Sequence, residues 1–374
     1  MKISLLVSDM STNCIGRAYV LAKILDRHYD VEVVGPAFGS GIWPPCDTDE
    51  LVYKVVPARG YPHFFAAATR IVNLIEGQVI YALKPLATSY GLALLARLGN
   101  RLPIVLDIDD WEVGFVRWRL ARSKKPWVRI WDPNWVGWIL LLEKCIRLAA
   151  KITVSGQFLA KRYGGYLVPH GQDVSFLDPS QYDATALKAT SGFDDKKVIL
   201  FLGTPRPHKG IEDLIAAARM VSKDDLRVLL VGADVHDPYL RKLAMQANGI
   251  LHTVGVRPIS ERPKWLAMAD MVVLPQRASP ATMGQVPAKL FDAMAMAKPI
   301  VATAVSDIPT ILDGCGLVVP PGDIEVLADR IRYVLDNPGE AEQLGMAARH
   351  KCVRDYSWEA MERVLLQAFS EYDQ

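Results

Sequence analysis

The sequence lacks most of the marks that would assign it quickly. Its five cysteines, Cys14, Cys46, Cys145, Cys315 and Cys352, are an odd number and lie scattered, with no CxxC pair and no Cys/His ligand spacing. That argues against a disulfide framework or a zinc site and for a reducing compartment. No apolar run reaches spanning length, since the longest, "WVGWILLLEKC", is broken by Glu143 and Lys144. The N-terminal "MKISLLVSDM" has neither a long apolar core nor a small-residue cleavage site, so it reads as a first strand rather than a signal peptide, and a cytoplasmic protein is expected. Neither sign of charge dominates. Lys+Arg 43 against Asp+Glu 41 leaves +2, so no global field points to nucleic acid. A strict phosphate loop, GxxxxGK[ST], is missing, as are internal repeats and low-complexity tracts.

What is present is a long, ordinary soluble composition: 374 residues, 51% hydrophobic and 22% charged, comfortable for two domains. Short apolar strands alternate with helix-period segments. "ISLLV", "VEVVG", "VIYAL", "IVLDI" and "ITVS" mark the first half; "VILFLG", "RVLLVG", "ILHTVG", "MVVLP", "PIVAT" and "GLVVP" mark the second. Alternation of this kind predicts α/β architecture with parallel sheets covered by helices on both faces. It restarts after about residue 170, following the turn-rich "DVSFLDPSQYDATALKATSGFDDKK". Residues 1–170 and 171–354 are therefore expected to form two doubly wound, Rossmann-like domains facing a central cleft at the carboxyl ends of their sheets. The tail, 355–374, reads as one amphipathic helix with Trp358, Met361, Val364, Leu365 and Ala368 on one face.

Two constellations could carry chemistry. In "VILFLGTPRPHKGIEDLIAAARMV" a strand ends at Gly203 and a loop with Arg206, His208 and Lys209 leads into a helix. Cations at the carboxyl end of a parallel strand, beside a helix start, suit a phosphate; a solvated loop is the plain alternative. In "GQVPAKLFDAMAMAKPIVAT", Gly284 permits close backbone approach, Pro287 suits a helix start, and Lys289 and Asp292 share a face. A carboxylate there can accept two ribose hydroxyls, whereas an exposed Lys–Asp pair would be nearly neutral in energy.

Together "GTPRPHKGIEDLIAA", "LLVGAD", "HTVGVR", "VPAKLFDAMAMAKPIVAT" and "GLVVPPGDIEVLADRI" resemble, in order and spacing, the family 4-type retaining glycosyltransferases of the GT-B fold. The Gly16 loop, "PIVLDIDDW" and "YLVPHGQDV" extend the resemblance through the first half, and the terminal helix resembles one that crosses back to the first domain. The resemblance implies transfer of a hexosyl or N-acetylhexosaminyl group from a UDP- or GDP-linked nucleotide sugar to an acceptor. Configuration would be retained, with no metal and no further cofactor. It implies Lys209 and Arg206 as the cations on the leaving diphosphate, Arg206 standing in for a family arginine whose position is Thr204 here. Gly16, Gly203 and Pro287 fall to donor binding, Val256 and Arg257 to the nucleobase side, Asp292 to the ribose. Gly284 occupies the place of a family glutamate. "PAKLF" resembles a sub-branch without that acid, where Lys289 takes the phosphate or sugar contact. Asp109 aligns with a sugar-contacting histidine, with Asp107 and Asp110 as neighbours. Three acids there also raise a metal, but strand-end acids more often cap loops.

A third feature is local. Six of the nine tryptophans, Trp111, Trp118, Trp127, Trp131, Trp135 and Trp138, share the segment 111–140 with Arg117, Arg119, Arg122, Lys124, Lys125 and Arg129. This suits an anionic membrane surface and a lipid-linked acceptor in cell-surface glycan synthesis. Internal packing is the alternative. Two other functions stay open, a catalytically inactive scaffold of this fold and a sugar-nucleotide epimerase.

Overall fold

The structure, a computed structural model, describes residues 1–122, 130–234 and 236–373. Lys124, Lys125, Trp127 and Arg129 of the basic segment lie outside the described residues. The chain divides into two compact units: Met1–Pro169 with Met283–Gln285 and Met361–Gln374, and His170–Thr282 with Val286–Ala360.

In the first unit the strands are β1 (Lys2–Leu6), β2 (Asp30–Ala37), β3 (Val52–Pro57), β4 (Val79–Leu83), β5 (Ile104–Ile108), β6 (Lys151–Val154) and β7 (Tyr166–Leu167). They form one parallel sheet in the order β3-β2-β1-β4-β5-β6-β7. Its helices are α1 (Ile15–Leu25), α2 (Phe64–Asn73), α3 (Leu92–Asn100), α4 (Glu112–Arg122), α5 (Val136–Cys145) and α6 (Gln157–Tyr163). β4 and β5 are buried at every residue, as expected of strands covered on both faces.

One buried ion pair ties the unit together. Arg17 on α1 grips Asp107 on β5 through two 2.8 Å hydrogen bonds and donates again to Val168 and Pro169 carbonyls. A buried guanidinium is tolerable because its donors are taken in this way.

The second unit contains α7 (Ala184–Thr190), β8 (Lys197–Leu202), α8 (Ile211–Val221), β9 (Leu226–Val231), α9 (Pro238–Ala247), β10 (Leu251–Val254), α10 (Arg262–Met268) and β11 (Met271–Leu274). It continues through α11 (Ala288–Ala295), β12 (Ile300–Thr303), α12 (Ile308–Ile311), β13 (Leu317–Val319), α13 (Ile324–Asp336) and α14 (Pro338–Asp355). Its parallel sheet runs β10-β9-β8-β11-β12-β13. The final helix, α15 (Trp358–Phe369), starts in the second unit and ends in the first. There Met361, Leu365 and Phe369 are fully buried, with the Phe369 ring edge-on to Tyr81 at 5.2 Å.

In each sheet the strand order reverses once, between β1 and β4 and between β8 and β11. Loops that leave neighbouring strands in opposite directions open a crevice at such a point, which is where ligands bind in open α/β sheets.

Candidate functional site

In the second unit, the loops that follow β8 and β11 meet at the reversal. Gly210, at φ +69°, lies so close to the other loop that a Cβ would sit 1.9 Å from the Pro275 carbonyl oxygen. Only glycine closes that gap. Arg277 strengthens the junction: its guanidinium takes both oxygens of Asp213 at 2.8 and 2.5 Å, and its backbone N–H donates to the His208 carbonyl. Asp213 sits in the first turn of α8, so the segment carrying Lys209 is held from both ends.

Lys289 reaches this place from the first turn of α11. It is 9% exposed, and its Nζ has no hydrogen-bond partner among the described residues. The ammonium stands 3.6 Å from the centroid of the Phe201 ring and passes close to Gly203. Burial, then the charge of Lys209, holds the Lys289 amine well below the ordinary lysine range, against a weaker upward pull from Asp292. An ammonium desolvated beside a second cation is costly until an anion joins it. This pair of lysines at a strand-order reversal is electrostatically prepared for phosphate.

Asp292, one turn on, is 4% exposed and its Oδ1 accepts from Arg262 Nη1 at 2.8 Å. Burial raises its pKa, while Arg262 and Lys289 oppose the rise. Arg262 stands thirty residues earlier, at the start of α10, and no motif singled it out. Pro287 is the N-cap residue of α11 rather than its first residue. Arg206 is exposed and lies 4.0 Å from the carboxylate of Asp237. Val256 and Arg257 are exposed in the loop after β10.

The first unit has its own charged cluster at the β1/β4 reversal. Lys84 follows β4 in the left-handed region, φ 68°, with its N–H on the Asp107 carbonyl and its own carbonyl accepting from Ser89 Oγ. Its buried Nζ lies 2.8 Å from Asp109, 2.6 Å from Asp110 and 3.4 Å from Glu112. Burial works to lower the Lys84 pKa, but the three carboxylates outweigh it and drive the value up. Burial pushes the Glu112 carboxyl up, only partly offset by Lys84. Asp109 is thus a partner of Lys84, a residue that periodicity did not single out. Among the described residues, no group of three or more His, Cys, Asp or Glu side chains is arranged to hold a metal ion.

Gly284 belongs to the first unit. A Cβ there would lie 2.6 Å from Trp111 Cβ and 3.2 Å from its backbone nitrogen, so no side chain fits at the place of the family glutamate. Its neighbour Gln285 donates to Asp110 Oδ1 at 2.9 Å. Gly16 lies in the first turn of α1, with its N–H on the Asn13 carbonyl, rather than in a free loop. Of the tryptophans, Trp111 is buried, with Arg117 and Arg162 against its ring; Trp118 and Trp135 are half-buried; Trp131 and Trp138 are exposed. Internal packing therefore accounts for part of that segment.

Residues 196–337 match the family described as "Glycosyl transferases group 1", which supports this family for the second unit. A GDP-mannose-dependent monoacylated alpha-(1-6)-phosphatidylinositol monomannoside mannosyltransferase of Corynebacterium glutamicum is 26% identical over 60% of this chain and 65% of its own length. An MMP alpha-(1->4)-mannosyltransferase of Mycolicibacterium hassiacum is 25% identical over 81% of this chain and 74% of its own. The match thus spans less than two thirds of the first relative. Among solved structures, Anabaena HepE in complex with UDP and glucose superposes with a TM-score of 0.79 at 18% identity, covering 99% of this chain and 100% of that one. At such identity the likeness carries the fold: both units are Rossmann-like, as in GT-B proteins.

Proposed function

We propose that this chain is a glycosyltransferase that moves a hexosyl group from a nucleoside-diphosphate sugar to a sugar or lipid-linked acceptor, retaining the anomeric configuration. The observation that carries it is the buried Lys289 amine, unpartnered and beside Lys209, at the strand-order reversal of the second unit. Relatives named as mannosyltransferases and a fold relative holding UDP point the same way. None of these names favours an epimerase or an inactive scaffold.

In this reading the donor diphosphate lies between Lys209 and Lys289, with Arg206 closing from the exposed side. The two lysines neutralise the charge that builds on the leaving diphosphate, so the reaction needs no metal. The acceptor oxygen attacks the anomeric carbon on the face that the diphosphate leaves. The bond to the diphosphate oxygen breaks as the new glycosidic bond forms, and the acceptor proton passes to the departing phosphate. The protein contributes alignment and a fixed field rather than a nucleophile. Asp292 orients toward the ribose from its pairing with Arg262, and the loop holding Val256 and Arg257 reads the base. Asp109, fixed by Lys84, meets a sugar hydroxyl.

The test is nucleotide release. Purified protein with UDP- and GDP-sugars and a membrane lipid extract should liberate UDP or GDP only when acceptor is present, and one nucleotide should raise the unfolding temperature. No stabilisation by UDP, GDP or ADP would overturn the donor site. Isomerisation of the donor without acceptor would replace transfer with epimerisation.

A further inference from the structure

We propose that the face of the first unit made by α3, α5 and the turn Ile146–Leu148 seats on the headgroup layer of an anionic lipid bilayer. This surface belongs wholly to the first unit, and the proposal stands whether or not the transfer reading holds.

Leu95 and Leu98 on α3, Trp138, Leu140 and Leu141 on α5, and Leu148 in the turn are all exposed, Leu98 at 83%. Single exposed leucines are ordinary, but a connected set on adjoining elements marks a contact surface. These elements do adjoin. Arg97 of α3 donates to the Leu148 carbonyl at 2.6 Å, Tyr90 just before α3 donates to the Cys145 carbonyl at 2.7 Å, and Leu142 of α5 lies beside Gly91. Both helices already bury an inner face, through Leu92, Ala93 and Ala96 and through Ile139 and Leu142. The outer leucines are therefore surplus to the core.

The charge on this face has one sign. Arg97, Arg101, Lys144 and Arg147 are exposed there. No acid occurs between Glu76 and Asp107, and between Asp132 and Asp173 Glu143 stands alone. Glu143 is withdrawn from the surface by Arg162 at 2.9 Å and Tyr163 at 2.7 Å. Leucine and tryptophan interleaved with exposed arginine and lysine fit the boundary between acyl chains and anionic headgroups. A second copy of the chain fits poorly, because a two-fold contact would set these cations against each other without acids to answer them. Among the described residues no helix is long and apolar enough to cross a membrane, so the contact is peripheral.

Flotation of the full chain with vesicles tests this directly. With phosphatidylcholine vesicles containing phosphatidylglycerol, the wild type should float at low salt and be released by 0.5 M salt, as about a tenfold or greater loss of bound protein. It should not bind pure phosphatidylcholine. Leu98→Glu with Leu141→Glu, and separately Lys144→Ser with Arg147→Ser, should each reduce binding about tenfold or more while leaving unfolding temperature and nucleotide binding unchanged. A wild type that stays soluble with anionic vesicles overturns the proposal, as do variants that bind like the wild type. Light scattering that finds a dimer broken by Leu98→Glu with Leu141→Glu, without vesicle binding, would instead assign the face to a second copy.

Discussion

Replacing Lys289 with methionine should raise the stability of the free protein and weaken donor binding at once. Methionine keeps the stem that crosses Phe201 and removes only the ammonium. In the free protein that ammonium is desolvated, unpartnered and next to Lys209. Removing an unsatisfied buried polar group recovers about 1–3 kcal/mol. For a unit of this size each kcal/mol moves the midpoint by about 2–4 °C, so a rise of roughly 2–12 °C is expected. With donor bound, the same substitution deletes a charge-assisted contact to the diphosphate, at a cost of about 2–4 kcal/mol. That is roughly 30- to 1,000-fold in affinity.

The pH dependence follows from the lowered lysine pKa. Between the folded value and the ordinary value near 10.4, the unfolded chain binds more protons, so free-protein stability should rise with pH in that window. Lys289→Met should flatten the rise. Donor binding should take up a proton when pH lies between the free and bound pKa values of Lys289. Thermal unfolding across pH, with and without UDP or GDP, and calorimetry in buffers of different ionisation enthalpy measure all of this. A variant that is less stable than the wild type, or that binds nucleotide equally well, would refute the reasoning.

Lys84→Met strands three carboxylates around a buried site and should cost about 3–5 kcal/mol. Because the penalty is carboxylate charge, the deficit relative to wild type should shrink as pH falls from 8 toward 5 in thermal scans. Gly284→Ala should destabilise by about 1–3 kcal/mol through the Trp111 clash, and Gly284→Glu by more, so restoring the family acid should not raise turnover. Asp292→Ala should weaken nucleotide binding by about 1.5–3 kcal/mol, and it should also lower the unfolding temperature because Arg262 loses its partner. Unchanged nucleotide affinity in that variant would remove Asp292 from the ribose.

The six strands of the second unit were all legible: five are short, nearly continuous apolar runs, and β10, with exposed His252 and Thr253, is marked by the β-branched residues before Gly255. β3 was not. It forms the sheet edge with exposed Val52 and Lys54 turned toward Glu32 and Glu76, so its pattern lacks a buried run. β7 has only two residues, too few to show a period. At the site, residue types and spacing pointed to Lys209, Lys289 and Asp292, since cations and carboxylates at helix starts suggest chemistry by themselves. Their partners were hidden. Arg262 approaches Asp292 from another helix, Arg277 clamps Asp213 across two loops, and Lys84 lies in a run that reads as plain strand and helix. Pairing of that kind is created by tertiary structure. Composition counts aromatic rings in the segment 111–140 but does not say that Trp111 packs inward while Trp131 and Trp138 stay exposed.

The route of the last helix has a consequence for how the protein is made. Phe369, Leu365 and Met361 complete the core of a unit whose strands end at Leu167, so some two hundred residues of chain intervene. On the ribosome the second unit can finish its own core while the first still lacks its last helix. The first-made half of the chain is therefore closed only after the second, and until α15 emerges it presents Tyr81 and the surrounding apolar wall to whatever binds nascent chains.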